Sequence, residues 1–559
     1  MNKYKQYFIL ILICSMIGFS APVSAAGKKH PLHKPAPAPE LQELPVIDKK
    51  SLTPAQQKID TALLRISIKM DEEIDSGRSV QQMAEAFSNK FLKIDDKGRM
   101  QVYVHYTNKK KAIDSIKSVE GIIDLVSEPM GLVQAWIAYD SIEKLAQEKW
   151  IKAIRRPGYA ITRTGSVNSE GDAIHRSDLT RSIHGYGGKG IKVGVISDGI
   201  NGITQSQNSG DIPSTYEARS ARSDNNLYDG AEGTAMLEIV HDLAPEASLA
   251  FSNCDTSVEF IEAVNILDNE FDCDIICDDL GFLLQPYCAD GSIAQRLNQL
   301  YPNGKLAVSA AGNDGDQSYY EGDFYATTGN IGNEPAENIH AFNQMSDYTM
   351  RVTIPSYSYF LCVLQWDDKF GSSDNDYDLY LVNSSNTFLY SLSVNVQNGD
   401  DDPLEYIVYE NYGSEKTGNL IIQKYSGEIK LLKMIVAYGS ILEYAKAPGS
   451  IYGHPAARDV IAVGAINQQT PGTIAPYSSQ GPVTIRYPNE IRDKPEICGI
   501  DNVSVTGNGG FPSTFAGTSA AAPHVAAICA QIWSANPGMS NTMIKDYMMN
   551  YANDLGTPG

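Results

Sequence analysis

The sequence predicts an α/β fold: a parallel sheet covered by helices, with an N-terminal α+β unit before it and a β-sandwich inserted into it. Three observations carry that reading. Buried-strand runs alternate with amphipathic helical stretches from residue 190 to 315 and again from residue 460 onward, as in a parallel sheet with helices on its faces. Between residues 100 and 155 the order is strand, helix, strand, strand, helix, strand, a βαββαβ or split-βαβ unit. Between 319 and 445 helical periodicity nearly vanishes, Tyr, Asn, Asp and Ser become frequent, and strand-like runs recur, which reads as a β-sandwich.

Taken in order, residues 1–25 read as a signal peptide. Lys3 and Lys5 precede an apolar run over residues 8–19 that is too short for a membrane span, and Val23-Ser24-Ala25 offers a small-x-small cleavage site. Ile13 is too bulky for lipoprotein processing at Cys14. The expectation is an exported protein, secreted or periplasmic, with no membrane span. Residues 27–50 are rich in Pro, Lys and Ala and read as a linker. A helix is predicted over residues 53–70 from Leu63, Leu64, Ile66 and Ile68. The βαββαβ elements follow at 100–106, 109–116, 122–126, 131–139, 141–147 and 151–154. Residues 26–160 are thus assigned as linker and pro-segment; the competing reading is a stable N-terminal binding domain.

The 559 residues imply several domains. A hydrophobic fraction of 42% and a charged fraction of 20% are ordinary globular composition. The net charge of −22 argues against nucleic acid or an anionic membrane as partner. There are eight Cys, and removal of Cys14 with the signal leaves an odd number. Cys254, Cys273, Cys277 and Cys288 lie near one another in sequence, so one or two disulfides are expected among them. No His falls among the four, which disfavours zinc. Cys529 reads as a buried free thiol.

The chemistry-bearing residues stand at element ends. The strand over 190–199 ends at Asp198, and functional groups of parallel sheets sit at the carboxyl ends of strands. A helix closed by Pro245 begins at Glu232. Strands at 248–251 and 275–279 and helices at 257–267 and 292–300 lead to a strand over 306–315 that carries Asn313. The α/β pattern stops at 318 and resumes at 446, so 161–318 and 446–559 form one discontinuous domain with 319–445 inserted. In Phe515-Ala516-Gly517-Thr518-Ser519 a Gly-containing turn delivers a Ser to the start of an apolar helix. The unpaired N–H groups there favour a developing anion, but the Ser needs a base and an oxyanion hole.

Gly517-Thr518-Ser519-Ala520-Ala521-Ala522-Pro523-His524 resembles the nucleophile motif of the subtilisin family. Val195-Ile196-Ser197-Asp198-Gly199 resembles its first-acid motif and Ser309-Ala310-Ala311-Gly312-Asn313 its oxyanion-hole motif; Tyr477-Ser478-Ser479-Gln480-Gly481-Pro482 and Lys494-Pro495-Glu496-Ile497 match two further landmarks. The match covers about 185–315 and 447–559. One position departs: where the family has His-Gly-Thr, this chain has Glu232-Gly233-Thr234. In the related sedolisins a Glu is the base toward Ser, so the sequence resembles a subtilisin with a sedolisin-like base. It is not a full sedolisin, because that family's second helix acid falls at Met236 and its oxyanion Asp at Asn313.

The resemblance implies a serine endopeptidase working through an acyl-enzyme. Ser519 is then the nucleophile, Glu232 the base, Asp198 its partner and Asn313 the oxyanion donor, with a pro-segment as intramolecular inhibitor and a protein or peptide as substrate. A carboxylate base predicts an optimum on the acid side of a His-based enzyme. Asp278, Asp279 and Gly281 border the family's substrate cleft; the pair reads as a solvated strand end, a further acid near Glu232, or a selector for basic side chains. His241 lies nine positions past Glu232, too far along the helix to replace it. His524 reads as core, and His454 carries no motif. No cofactor is required for the chemistry. Asp367, Asp368, Asp374, Asp376 and Asp378 are hard-oxygen groups that suit a structural calcium ion, with no ligand set assigned and an acidic turn as the plainer reading. Two rivals stay open: an inactive subtilisin-like domain kept for binding, and a scaffold whose working part is the β insert, as an adhesion or carbohydrate-binding module. The closing Thr557-Pro558-Gly559 suggests that a final family segment is absent.

Overall fold

The computed structural model describes residues 44–89, 91–159 and 170–555. The expected signal peptide, most of the linker, part of the expected pro-segment junction and Thr557-Pro558-Gly559 lie outside the described residues.

The first described unit opens with α1 (Thr61–Asp75) and α2 (Val80–Phe87). The helix predicted from residue 53 starts only at Thr61, because the Asp60 side chain accepts from the N–H groups of Ala62 and Leu63 and caps it there. The sequence reading passed over α2, although Ser79-Val80-Gln81-Gln82 forms a capping box at its start. Then come β1 (Arg99–Tyr106), α3 (Lys109–Ser118), β2 (Ile122–Ser127), β3 (Leu132–Ala138), α4 (Ile142–Ala146) and β4 (Ile151–Arg155). The sheet order is β2-β3-β1-β4. Leu63, Met70, Val102, Val104, Ile116, Val133 and Ile154 fill a core that belongs to this unit alone.

The central sheet is parallel and has seven strands. Its strands and helices are β5 (Lys192–Ser197), β6 (Glu217–Ala218), α5 (Glu232–Leu243), β7 (Ser248–Asn253), α6 (Ser257–Asn265), β8 (Ile275–Asp278), α7 (Ser292–Asn298), β9 (Leu306–Ala310), β10 (Ile461–Asn467), β11 (Ile497–Asp501), α8 (Thr518–Ala535) and α9 (Asn541–Tyr551). The order is β11-β10-β9-β8-β5-β7-β6. Val193, Val195, Cys277, Val308 and Val463 are fully buried, as expected of strands covered on both faces. α8 crosses one face against α5. Its Ala520, Ala521, Ala522, Ala526, Ala527 and Ala530 are all buried and let the two helices approach closely.

Between β9 and β10 the chain forms antiparallel sheets. One consists of Tyr319–Asp323, Leu431–Ala437, Ser358–Trp366 and Leu404–Asn411; the other is built around Lys416–Ser426, which pairs with Met350–Ile354 and Asp376–Asn383. Both contribute to one core around Phe360, Leu364, Trp366, Tyr377, Leu379, Leu420 and Met434.

The disulfides expected among Cys254, Cys273, Cys277 and Cys288 are not formed: all four are buried free thiols, as is Cys529. Cys277 lies on β8 and Cys254, Cys273 and Cys288 lie in loops, and each packs as a small buried apolar residue. Four of the five acidic residues named in the insert pair with cations. Asp376 and Asp378 hold Lys49 at 2.7 and 2.9 Å, Asp368 holds Lys430 at 2.8 Å, and Asp367 holds Arg486 at 3.1 Å. Among the described residues no group of three metal-ligating side chains is placed to hold an ion, and no helix is long and apolar enough to cross a membrane.

Candidate active site

β5 runs into Asp198 and β8 into Asp279, on neighbouring strands in which Ile196 pairs with Asp278. β8 in turn pairs Asp278 with Ser309 of β9, and β9 leads to Asn313. All three residues therefore leave the carboxyl edge of the parallel sheet. Against that edge stand the first residues of two helices, Glu232 of α5 and Thr518-Ser519 of α8.

The turn into α8 requires a glycine: Gly517 has φ 104°, a conformation that L side chains rarely adopt. Thr518 then fixes Asn313, whose side-chain oxygen accepts from Thr518 N (3.0 Å) and Thr518 Oγ1 (3.0 Å). Thr518 Oγ1 itself accepts from Gly312 N at 3.2 Å. The Tyr477-Ser478-Ser479 motif braces the same loop. Gly315 N donates to Tyr477 O (2.9 Å), Ser479 N to Gly312 O (2.8 Å) and Asp314 N to Ser479 Oγ (3.0 Å).

Asp198 meets α5 through the helix backbone. Its Oδ1 accepts from Glu232 N at 3.0 Å and Gly233 N at 3.4 Å, an anion at the positive end of the helix. A Cβ on Gly230 would lie 2.2 Å from this carboxyl, so glycine is needed there. The Glu232 side chain makes different contacts: its carboxyl is hydrogen bonded to the Ser519 hydroxyl and lies against the carboxyl of Asp279. Glu232 is 1% exposed, and Ser519 and Asp279 are 0% exposed. Burial, then the charges of Asp279 and Asp198, push Glu232 far above the usual carboxylate range. Burial also raises Asp279, against the contact with Glu232, and raises Asp198, against the backbone N–H groups of Glu232, Gly233 and Gly199.

The structure thus brings Asp198, Glu232, Asp279 and Ser519 together, with Asn313 tied in through Thr518. Asp278 is engaged elsewhere, since consecutive strand residues face opposite sides. Its Oδ1 accepts from Ser309 Oγ at 3.0 Å and lies 2.8 Å from His454 Nε2. The expectation of a solvated strand end fails for both acids: Asp278 is 1% exposed, and each is packed within the sheet edge. Gly281 is buried in the loop that follows. His454, which sequence reasoning left without a role, is a buried partner of Asp278 tilted against Phe260, with ring centroids 5.0 Å apart. Its partner is 176 positions away, so no local signal could have found it. His241 is only partly buried and its Nδ1 has no partner. His524 is fully buried with Nδ1 2.7 Å from Ala520 O, and burial and neighbouring His175 push its pKa down to about 3, which fits a neutral core ring.

Comparison with known proteins gives three results. The sequence model described as the subtilase family matches residues 359–559, which include Ser519 and exclude Asp198, Glu232, Asp279 and Asn313. No curated protein matches. Among solved structures, the CspB protease of Clostridium perfringens is similar at a TM-score of 0.48 and 14% identity, over 68% of this chain and 92% of that one. The family match is confined to residues 359–559, and it is this part of the chain that is similar to the subtilase family.

Proposed function

We propose that the protein is an exported serine endopeptidase in which Ser519 attacks the scissile carbonyl and Glu232 takes its proton. The observation that carries the reading is the contact of the Glu232 carboxyl with the Ser519 hydroxyl at the position where a His base stands in the relatives. A nucleophile and base within hydrogen-bond reach, the base backed by a third group, is the arrangement that activates a hydroxyl. Asn313, oriented through its oxygen by Thr518, presents its amide NH₂ as the oxyanion donor. Asp198 acts on α5, fixing the backbone of the residue that carries the base. Residues 1–25 support export.

Residues 44–159 act as a pro-segment in this reading. Gly158 O accepts from Ser257 N at 3.3 Å and Tyr159 bridges Thr256 in antiparallel fashion, so the end of the unit lies along the start of α6 as a strand would. Tyr103 Oη lies 3.1 Å from Ser257 Oγ, Thr256 Oγ1 donates to Gln134, and Lys93 pairs with Asp255.

A fluorophosphonate probe, which phosphonylates activated serines, tests the assignment. Labelling is expected in the parent protein, with loss of about hundredfold or more in Ser519→Ala and in Glu232→Gln. The same Ser519→Ala protein should keep residues 44–159 covalently attached while the parent loses them. Absence of labelling anywhere between about pH 4 and pH 8, the range in which a carboxylate base would work, would favour an inactive domain kept for binding.

A further inference from the structure

We propose that the β insert carries a recognition site for a lysine side chain, built from Asp376, Asp378 and the ring of Tyr425. Lys49 fills it while the N-terminal unit is seated, and a lysine of a protein substrate takes it once that unit has been cleaved away. The second half rests on residues 44–159 being a pro-segment.

The site is built into the strands of the insert. Asp376 and Asp378 stand two apart on the strand Asp376–Asn383, and their Oδ1 atoms lie 2.7 and 2.9 Å from Lys49 Nζ. The neighbouring strand, Lys416–Ser426, bulges opposite them. Asp376 pairs with Ser426 and Tyr377 with Lys424, which leaves Tyr425 as the extra residue. A bulge re-aims a side chain, and the Tyr425 ring lies 4.7 Å from the same ammonium, within cation–π range. Glu405, fully buried and bound by Ser393, Asn395 (2.9 Å) and Gln397 (3.0 Å), adds a third acid to the surroundings of Lys49.

This chemistry selects an ammonium. Two oxygens converging on one nitrogen suit a point charge, whereas a guanidinium calls for a planar, paired acceptor. A hard metal ion such as calcium asks for about six oxygens or more.

The occupant is not part of the insert. Lys49 precedes Asp376 by 327 positions. It stands in a short helical turn, Lys49–Ser51, capped by Asp48. Asp48 and Lys50 on either side are exposed, while the Lys49 side chain is 8% exposed. The insert thus holds this turn through one inserted side chain, and an exposed turn on another protein can offer the same group. Among the described residues no other cation pairs with Asp376 or Asp378. Departure of the N-terminal unit strips these buried carboxyls of their counter-charge, a costly state that a new ammonium relieves. The net charge of −22 favours basic proteins as partners.

Two measurements decide the matter. The first needs no cleavage. Ser519→Ala/Lys49→Ala protein keeps the unit attached and empties the site, and propylammonium is the group that the second substitution deletes. At about ten times its half-saturating concentration it should raise the unfolding temperature by about 2 °C or more, relative to equal potassium chloride or 1-propanol. Ser519→Ala/Lys49→Met, whose side chain fills the site without charge, should not respond. Nor should the vacated protein carrying Asp376→Asn. An equal response to potassium chloride or 1-propanol, or a larger one to calcium chloride, would overturn the site.

The second measurement uses active enzyme on casein and on casein with acetylated lysines. The parent should show a kcat/KM about tenfold higher on native casein. Asp376→Asn should lose that preference while labelling with the fluorophosphonate at the parent rate. A preference unchanged in Asp376→Asn, or a cleaved N-terminal unit that co-elutes with the enzyme, overturns the exchange of lysines. If the parent never sheds the unit because Ser519 is inactive, the pro-segment reading fails, and the propylammonium titration still decides the site.

Discussion

At the residue scale, Glu232 stands where the subtilisin motif that the sequence resembles has a His, and a buried carboxylate makes other demands than an imidazole. A neutral imidazole can sit in a buried site without a counter-charge, whereas a carboxylate cannot. Its neighbours here are acids, Asp198 on the helix backbone and Asp279 beside the side chain. Asp278, one residue away, is engaged independently through Oδ1 by Ser309 and His454. Removing that imidazole leaves a buried carboxyl under-satisfied. His454→Ala should therefore destabilise the protein by about 1–3 kcal/mol, read as a lower urea midpoint at unchanged slope. An unchanged midpoint would mean that water or a neighbour replaces the ring at no cost.

At the element scale, the site depends on how closely α8 and α5 pack. Their first residues carry Ser519 and Glu232, and the small alanines of α8 let the two helices come close. Ala526 is fully buried in the core that α8 and α5 share. Ala526→Leu should cost about 1–3 kcal/mol by overpacking. It should also slow labelling of Ser519 more than it lowers stability, because the helices must separate to admit the side chain. A variant that labels at the parent rate while fully folded would show that the spacing tolerates a shift. The sequence located both helices to within a residue or two because amphipathic periodicity and the Gly turn are local. α2 and the true start of α1 were legible too, through the Ser79–Gln82 box and the Asp60 cap, but periodicity alone did not reveal them.

At the scale of the whole molecule, the acidity has a consequence for pH. Burial raises Asp242 to about 7 with help from Asp211, Asp376 to about 7 against Lys49, and Asp501 to about 6 against the Gly517 N–H. Together with the site carboxyls, these groups bind protons more tightly in the folded state than in the unfolded chain. Their contribution is complete below the unfolded carboxylate range and is lost as pH rises through about 6 to 7. Asp224, held low by Arg222, has the opposite sign and weakens folding only at stronger acid. The unfolding temperature should therefore be higher near pH 5 than near pH 8. A midpoint that rises across that interval would contradict this balance. The N-terminal unit joins the same scale: Lys49 reaches Asp376 and Asp378, and Arg155 reaches Asp401 at 2.5 Å, so the antiparallel sheets hold it as well as α6 does.

What the sequence by itself determined is local in origin. Strand runs, helix faces, the Gly517 turn and the motif residues Asp198, Asn313 and Ser519 are each written within about ten consecutive residues, and so is the Glu at position 232. The tertiary structure decided which carboxyl meets Glu232, because Asp198 and Asp279 both stand at strand ends near the helix start and only the register of β5 against β8 and the approach of α5 distinguish them. It also decided that His454 serves Asp278 and that the clustered cysteines stay apart, since those contacts join residues far apart in the chain or on different faces of one sheet. Local patterning fixes which backbone groups are satisfied within an element; the partners of buried charges are chosen only when elements pack.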